Sequence, residues 1–438
     1  MKVLLATVCV MGALAAQRAP EVVSLSPAHL AEVDAKQVTE LVVVFDQPMN
    51  TRGRSICGGG PSFPSVKDVQ WKDDKTMVVS VELVPNHDYT MSLNCPAALN
   101  FRSKAGGVLE PVPWSFSTLP ETMRPAAEQQ QRNRAALKVL MQTLDERYSY
   151  RDLRVTDWRA LQQEHEQAIL AARTDRGFAV AAARMLRATG DLHLYLRLGE
   201  RTFATGSRAV DPLFREKLLP RYFRPEKVQD RVLAGRTADG IGYLLIAGWS
   251  ADIDPEVIGG AITAMADTKA LIVDVRPNAG GDESIAQKVA AWFVSGTKVY
   301  AKNRFRLRAG DDGLGPVLER TITGNDDDRY YEHPVALLTS RYVMSSNEAF
   351  VLMMRQARRC TVVGQPTFGS SGNPRPFELG NGLTAMVPSW QAMRPDGVCF
   401  EGEGLAPDVF VPCTGDDFVD RDPILEKALE VLREQLRD

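Results

Sequence analysis

The sequence holds few of the residues that build metal centres and disulfide scaffolds. Its 438 residues include six Cys and five His, and no two Cys stand as a CxxC pair. Zinc modules need closely spaced Cys and His ligands, and small disulfide-bonded domains need a far higher Cys content. The composition excludes both classes, and the sequence predicts neither a metal nor an organic cofactor.

Positive charge and long apolar runs are scarce as well. Lys and Arg number 52 against 55 Asp and Glu, which gives a formal net charge of −3. Without a cationic excess to neutralise phosphates, nucleic acid is not an expected partner. No run of about 18 consecutive apolar residues occurs, so the sequence predicts no membrane span.

A shorter apolar run stands at the N-terminus. Residues 3–16 follow Met1-Lys2 and include the small-x-small site Ala13-Leu14-Ala15. This pattern is typical of a secretory signal peptide over residues 1–15, cleaved near Ala15. We therefore expect a secreted or periplasmic protein, and a buried N-terminal strand is the alternative.

The remaining cysteines are expected to work in an oxidising compartment. Cleavage removes Cys9, and the other five are spread along the chain. Pairing is favoured within one segment, which predicts the bridges Cys57–Cys95 and Cys399–Cys413. Cys360 is then a buried thiol without a partner.

Residues 21–118 have the pattern of an all-β domain. Short runs rich in β-branched and aromatic residues, such as 41–45 and 76–83, alternate with turn sequences. This spacing is typical of a β-sandwich. The stretch also resembles bacterial Ig-like modules through its "FDQPMN" segment and its closing "FST". We predict an Ig-like β-sandwich domain here, which would position or dock a second domain.

After a Pro-containing linker at 119–127, the apolar residues recur at helical period, and further along buried strands alternate with helices. This alternation is typical of an α/β domain with parallel pairing. We predict one domain over 127–438, with a helical subdomain at 127–190 and an α/β core at 191–438. The core strands are predicted at 242–246, 271–275, 335–339, 361–364 and 384–389, and its helices at 255–267, 283–295, 345–358 and 423–436.

Two strand ends carry candidate catalytic groups. Gly280 and Gly281 follow the strand at 271–275, where backbone N–H groups could bind a developing oxyanion; a plain tight turn is the alternative. Ser345 and Ser346 follow the strand at 335–339 and open a helix. There Ser345 could act as a nucleophile, or it could only cap the helix together with Glu348.

A base and an orienting carboxylate are needed beside such a serine. His193 stands where a helix gives way to a strand. The other histidines of this domain are worse placed, since His165 lies mid-helix on a polar face and His333 in a Tyr-rich loop. Glu401 or Glu403, in a turn-rich acidic segment, could orient the imidazole, and a solvated loop is the alternative there.

Together these segments resemble one protein family. The blocks "DLH", "GYLLI", "DVRPNAGG", "SSNEAF", "VVGQPTFG" and "EGEGLAPD" occur in order within residues 126–412. They resemble the C-terminal processing or tail-specific serine proteases, in the tricorn-like branch related to interphotoreceptor retinoid-binding protein. The resemblance implies a crotonase-like β-α spiral core, Ser345 as nucleophile, and an oxyanion hole from the N–H groups of Gly280 and Ser346. It leaves open whether Gly280 or Gly281 donates.

The departures from that family are informative. Members with a Ser-Lys dyad place the lysine 25 residues after the nucleophile, where this chain has Ser370. His193 and Glu401 instead match the Ser-His-Glu pattern of the tricorn-like branch. That branch has a hydroxyl residue before the histidine, whereas this chain has Leu192. The segment between "DLH" and "GYLLI" is also too short for the peptide-binding PDZ module of many relatives.

The sequence therefore predicts a secreted serine endopeptidase that hydrolyses a protein or peptide substrate through an acyl-enzyme, with Ser345 as nucleophile and His193 as base. Two other classes stay open. One is a catalytically inactive protein of the same fold that binds a small apolar ligand or a peptide. The other is a surface interaction protein led by its Ig-like domain.

Overall fold

The computed structural model describes residues 18–206, 210–310, 313–325 and 330–437. The predicted signal peptide at 1–15, with Cys9, lies outside these residues. The chain divides into two compact units. Among the described residues, the first unit contains those up to Gln130 together with Ala172–Val180, and the second contains Gln131–Ala171 and those from Ala181 onward.

The first unit is rich in β-structure, as predicted. Its strands form two four-stranded sheets, of order β1-β3-β6-β5 and β2-β8-β7-β4. All pairings are antiparallel except β2 with β8. The strands are β1 Val22–Ser26, β2 Glu32–Val33, β3 Glu40–Phe45, β4 Ile56–Cys57, β5 Ser65–Trp71, β6 Thr76–Glu82, β7 Asp88–Leu93 and β8 Val112–Thr118.

One apolar core holds the two sheets of this unit together. In β3 every second side chain is buried, namely Leu41, Val43 and Phe45. Trp114 and Phe116 of β8, in the other sheet, belong to the same cluster. Strict alternation is the pattern expected of strands with one face in a core and one in solvent.

The predicted disulfide bonds have different outcomes. The Cys57–Cys95 bridge is confirmed, whereas Cys399 and Cys413 are free thiols, so that predicted pair is wrong. Cys399 bridges back to Met393, while the chain from 409 pairs with another strand and carries Cys413 away from it. Cys360 is the expected free thiol, and burial raises its pKa to about 12.

The helices that follow begin at Ala126, slightly earlier than the pattern predicts. Asp157 caps the third of them, because its side chain accepts a hydrogen bond from the Ala160 N–H at 2.9 Å, as N-cap residues do. Within the described residues, none of the helices has the length and apolarity needed to cross a bilayer. These four helices are α1 Ala126–Arg147, α2 Arg151–Arg154, α3 Trp158–Leu170 and α4 Asp175–Leu186.

The rest of the second unit is α/β, and the predicted alternation of strands and helices is confirmed in outline. Its elements are β9 Tyr195–Leu198, β10 Arg201–Ala204, β11 Glu226–Gln229, β12 Val232–Arg236, β13 Ile241–Ile246, α5 Pro255–Thr263, β14 Ala270–Asp274, α6 Glu283–Ala290, β15 Thr297–Phe305, β16 Leu318–Thr323, β17 Val335–Thr339, α7 Ser346–Met354, β18 Cys360–Gly364, β19 Pro374–Glu378, β20 Leu383–Pro388, β21 Trp390–Met393, β22 Val409–Phe410 and α8 Pro423–Gln435.

A seven-stranded sheet of order β11-β12-β13-β14-β17-β18-β22 forms the centre of this unit. Its strands run parallel from β13 to β22. Strands β13, β14 and β17 are buried along their whole length, because α5, α6 and α7 cover one face and α8 the other. The carboxyl ends of parallel strands share one edge, so the segments after β13, β14 and β17 meet there.

Two smaller antiparallel sheets complete the second unit. One has the order β10-β9-β20-β19, and the other has the order β16-β15-β21. Strand β9 begins two residues after His193, so the histidine stands between a helix and a strand, as predicted.

Candidate active site

Ser345 lies in a strained turn between β17 and α7. Its φ of 57° and ψ of −132° are unusual for a residue with a side chain, and such strain is concentrated at functional sites. A sharp strand-to-helix turn of this kind presents a serine hydroxyl at the edge of the sheet. The Ser345 N–H is tied down by the Ser370 carbonyl at 2.9 Å.

His193 lies within hydrogen-bond distance of this serine. Its Nε2 is 3.0 Å from Ser345 Oγ, although the two residues are 152 positions apart in the sequence. Its Nδ1 is 2.9 Å from Ser370 Oγ. The structure thus brings together the predicted nucleophile and base, at the separation that such a pair requires.

The other two histidines of this unit lie in different surroundings. His165, on α3, has its Nε2 4.0 Å from the carboxylate of Glu164. The ring of His333 stacks edge-on against Tyr331, with 5.5 Å between the ring centroids. Their positions agree with the sequence-based choice of His193.

Asp191 holds the backbone of His193, and the sequence reasoning assigned it no role. It is fully buried, and its Oδ1 accepts the His193 N–H at 2.9 Å. Its Oδ2 accepts the hydroxyl of Tyr148 at 2.8 Å. An Asp side chain that bonds the N–H two residues on is a common local turn device, and the sequence signal for it was the Asp-x-His spacing.

Glu401 lies close to the site and accepts hydrogen bonds from two neighbouring residues. Its buried carboxylate accepts Arg154 Nη2 at 2.5 Å and the Ser371 N–H at 3.0 Å. The group at hydrogen-bond distance from His193 Nδ1 is the Ser370 hydroxyl. The Glu401 carboxylate reaches the site through the neighbouring Ser371 amide, and its role in orienting the imidazole stays a prediction.

The electrostatics of Glu401 reflect its burial. Loss of water and the negative charge of Asp191 raise its pKa well above the ordinary value, while Arg154 opposes the rise. Glu403, the alternative orienting carboxylate, is exposed, and its backbone carbonyl accepts Arg341 at 3.2 Å. Its exposed side chain does not fit the role of a buried orienting group.

Glu348 organises the turn and the segment 367–371, which we call the strap. Its carboxylate is fully buried, although the sequence suggested only a helix cap. Burial raises its pKa to about 7, while the hydrogen bonds that it accepts favour the charged form. One oxygen accepts from Thr367 Oγ1 at 2.6 Å and Gly369 N at 2.7 Å, and the other from Ser370 N at 3.1 Å, Ser345 N at 3.2 Å and Ser371 Oγ at 3.3 Å.

We expect Glu348→Gln to destabilise the protein by about 1–3 kcal/mol, because the amide nitrogen would face a buried N–H group and leave it without an acceptor. Between pH 4.5 and 7 the folded wild-type carboxyl holds a proton that the unfolded chain has released, so its contribution to stability falls as the pH rises. The glutamine variant lacks this dependence. The deficit, measured by urea unfolding, should therefore be larger at pH 5 than at pH 8.

Glu378→Gln is the matched control for this change. Glu378 is exposed and accepts one hydrogen bond, from Thr384 Oγ1 at 2.8 Å. Its loss should change the free energy of unfolding by less than about 0.5 kcal/mol. Equal unfolding midpoints for the Glu348→Gln variant and the wild type would contradict the organising role.

The two glycines after β14 differ in their hydrogen bonds. The Gly280 N–H donates to Asn278 Oδ1 at 2.8 Å. Gly281 forms a parallel bridge with Trp249, in which Trp249 N donates to Gly280 O and Asp282 N donates to Trp249 O. In parallel pairing the N–H of the middle residue faces away from its partner, so the Gly281 N–H faces away from Trp249.

Ser345 lies on the side of the sheet edge toward which the Gly281 N–H points. Trp249 follows β13, Gly281 follows β14 and Ser345 follows β17, and these strands are neighbours in this order. Within the described residues, the N–H groups of Gly281 and Ser346 donate to no protein acceptor. Gly281 also cannot carry a side chain, because a Cβ would lie 2.2 Å from Trp249 O.

A cleft of about 410 Å³ opens beside Ser345, Ser346 and Gly281. Arg320 in its wall is ion-paired with Glu283 and lies over the ring of Trp390, with 4.8 Å to the ring centroid. The other cleft residues are mostly apolar or small, and include Ala301, Ala349, Leu352, Ala392, Met393 and Phe400.

A larger cavity of about 760 Å³ lies beside β11, β12 and α5 and contains none of the predicted catalytic residues.

One sheet edge thus carries a strained serine, a histidine in contact with the serine hydroxyl, and the two N–H groups of Gly281 and Ser346. A serine hydrolase requires such a nucleophile, base and oxyanion hole. Residues 240–411 match the model of Peptidase family S41. This match confirms the predicted resemblance to the tail-specific serine proteases.

Curated relatives support this assignment over part of their length. A "Probable CtpA-like serine protease" of Staphylococcus haemolyticus is 27% identical over 186 residues, which are 42% of this chain and 35% of that protein. Its counterpart in Staphylococcus aureus strain N315 is 26% identical over 190 residues, 42% of this chain and 36% of the relative. The chain thus spans about a third of the length of these relatives.

Solved structures share the fold over about two thirds of this chain. A "putative peptidase" from Parabacteroides merdae superposes with a TM-score of 0.62 and 23% identity, over 68% of this chain and 96% of that chain. Mature CPAF complexed with lactacystin superposes with a TM-score of 0.51 and 13% identity, over 70% and 99% of the two chains. These likenesses define a mixed α/β fold of the S41 peptidase type.

Proposed function

We propose that this protein is a secreted serine endopeptidase that hydrolyses peptide bonds through an acyl-enzyme. The observation that carries the proposal is the 3.0 Å contact between Ser345 Oγ and His193 Nε2 at the strained turn before α7. A hydroxyl becomes a nucleophile when a base can take its proton. The family match over 240–411 supports the same reaction class.

In the proposed mechanism, Ser345 Oγ attacks the carbonyl carbon of the scissile bond and His193 Nε2 takes the hydroxyl proton. The same imidazolium then gives the proton to the leaving amine, and water attacks the acyl-enzyme in the second half. The N–H groups of Ser346 and Gly281 stabilise the tetrahedral oxyanion. We favour Gly281 over Gly280 because the Gly280 N–H is already bonded to Asn278.

The cleft supports a substrate class. Its small and apolar walls, such as Ala349, Leu352 and Phe400, would receive an apolar side chain next to the scissile bond. Arg320 is already neutralised by Glu283, so it does not favour an acidic side chain in this cleft.

The finer architecture is part of the proposal. The two sheets of the first unit, with their shared core, support an Ig-like sandwich over 21–118. The helix-covered parallel sheet supports a crotonase-like core within 191–438, after a helical subdomain at 127–190, and the His193 base supports the tricorn-like branch. The N-terminal sequence pattern supports a cleaved signal peptide and a secreted or periplasmic location.

A fluorophosphonate probe tests the proposed function. The wild-type chain should become labelled and the modified peptide should contain Ser345, whereas Ser345→Ala should take up no label. Ser389→Ala is the matched control, since its hydroxyl bonds the backbone carbonyls of Gly372 and Asn373, and it should label like the wild type. Absence of labelling in the wild-type chain would contradict the peptidase proposal and favour a binding protein of the same fold.

A further inference from the structure

Ser370 touches both members of the proposed catalytic pair. Its hydroxyl lies 2.9 Å from His193 Nδ1, on the side of the ring opposite to the nucleophile. Its backbone carbonyl accepts the N–H of Ser345 at 2.9 Å. The side chain is fully buried, so water does not compete for the contact with the imidazole.

Two buried carboxylates hold Ser370 in this place. Glu348 accepts the Ser370 N–H at 3.1 Å, and Glu401 accepts the N–H of the next residue, Ser371, at 3.0 Å. The Gly369 carbonyl accepts the Gly402 N–H at 2.7 Å. These contacts fix the strap backbone on both sides of Ser370. The strap therefore directs the Ser370 hydroxyl at the imidazole.

The position of the proton on His193 decides what this hydroxyl does. To act as a base toward Ser345, the imidazole needs a free electron pair on Nε2, so its proton must sit on Nδ1. An Nδ1–H needs an acceptor on its far side, and the Ser370 oxygen is at the right distance. That bond becomes stronger when the ring takes up the serine proton and becomes charged.

We propose that Ser370 is a positioning residue that accepts the Nδ1–H of His193, orients the ring toward Ser345 and stabilises the imidazolium. The inference rests on the proposed peptidase function. It also accounts for Leu192, which places no hydroxyl before the histidine. The hydroxyl comes instead from the strap, at the position where dyad relatives carry their lysine base.

Several charged or titratable groups belong to the hydrogen-bond network around His193, and the wild type and a Ser370 variant have them in common. A comparison of a Ser370 variant with the wild type therefore isolates the hydroxyl. The groups are Asp191 on the histidine's own segment, Tyr148 and Arg154 from the helical region, Glu348 at the start of α7, and Glu401 after β21.

The test compares Ser370→Ala with Ser370→Thr in the full chain, using an apolar fluorogenic peptide. The alanine variant should lose about tenfold to a hundredfold in kcat with little change in KM, because a hydrogen bond to a charged group is lost. The acidic limb of its kcat/KM profile should move about one unit to lower pH, since the imidazolium loses support. Ser370→Thr keeps a hydroxyl and should keep the wild-type limb.

Ser389→Ala is again the control, and its pH profile should match the wild type. The inference would be overturned if the acidic limb of the kcat/KM profile of Ser370→Ala coincided with that of the wild type. It would also be overturned if a folded Ser370→Thr variant had the kcat and the acidic limb of the Ser370→Ala variant. If the alanine variant does not fold, nitrogen NMR of the histidine rings in wild type decides: a neutral His193 protonated on Nε2 overturns it. A wild-type chain without labelling or hydrolysis removes the peptidase proposal itself, whatever the tautomer shows.

Discussion

Replacing His193 with alanine is expected to lower kcat/KM by about 10²- to 10⁴-fold, the usual contribution of a positioned base. Without the imidazole, the Ser345 hydroxyl has no acceptor for its proton at the 3.0 Å contact. The N–H groups of Gly281 and Ser346 would remain, so activity above that of water alone should persist. Hydrolysis of a fluorogenic peptide and the rate of fluorophosphonate labelling both measure the loss.

His165→Ala is the matched control for this change. His165 lies on α3 beside Glu164, and its loss should leave kcat/KM within about twofold of the wild type. The melting temperature of the His193→Ala variant should stay near that of the wild type, because the side chain is only half-buried. If the variant folds and labels at the wild-type rate, another group is the base.

The parts of this molecule that were predictable from the sequence have local signals. Strands β14 and β17 are continuous apolar runs and are buried along their whole length, as their sequences indicate. Ser345 and the Gly280-Gly281 pair lie within seven residues of the ends of these strands. Their proximity therefore follows from parallel pairing, and His193 remains as the histidine at an element end.

The partners of these residues could not be predicted because their contacts are remote in sequence. Ser370 lies 177 positions from His193, and nothing in "TFGSS" marks its hydroxyl as an acceptor. Glu348 looked like a helix cap, and only the fold of the strap shows that one carboxylate serves five donors. The choice between Gly280 and Gly281 likewise depends on Asn278 and Trp249, which occupy the other hydrogen bonds.

Strands also lie within residues 199–240 and 301–334, where the sequence predicts none. Strand β11 has no fully buried residue, and β16 has a single one, Ile322. Edge strands of this kind bury too few side chains to show the period of two that marks a half-buried strand. Strands β11 and β16 thus have little contact with the core.

A buried charge network fixes the start of the segment that leads from β14 to Gly281. Arg276, fully buried, donates to Asp274 at 2.6 Å through Nη2 and to Asp422 at 2.8 Å through Nη1. Burial works to lower the pKa of Arg276, but the two carboxylates outweigh it and hold the pKa well above its ordinary value. Asp422 also caps α8 through the Leu425 N–H at 3.0 Å.

Replacing Arg276 with methionine should destabilise the second unit by about 3–5 kcal/mol, because two carboxylates would stay buried without their cation. Hydrogen exchange should show the loss first in α8, Pro423–Gln435, whose cap is Asp422. Asp422→Asn separates the charge from the cap, since asparagine caps helices as well as aspartate does.

The matched control is Asp254→Asn at the exposed N-cap of α5, where the side chain accepts the Glu256 N–H at 2.9 Å. If capping alone matters, both Asn variants should lower the free energy of unfolding by the same few tenths of a kcal/mol. If the charge network matters, Asp422→Asn should cost clearly more and Asp254→Asn should not. Because the chain continues from Arg276 into the turn at Gly281, the Arg276→Met variant should also label more slowly at Ser345 while it is still folded.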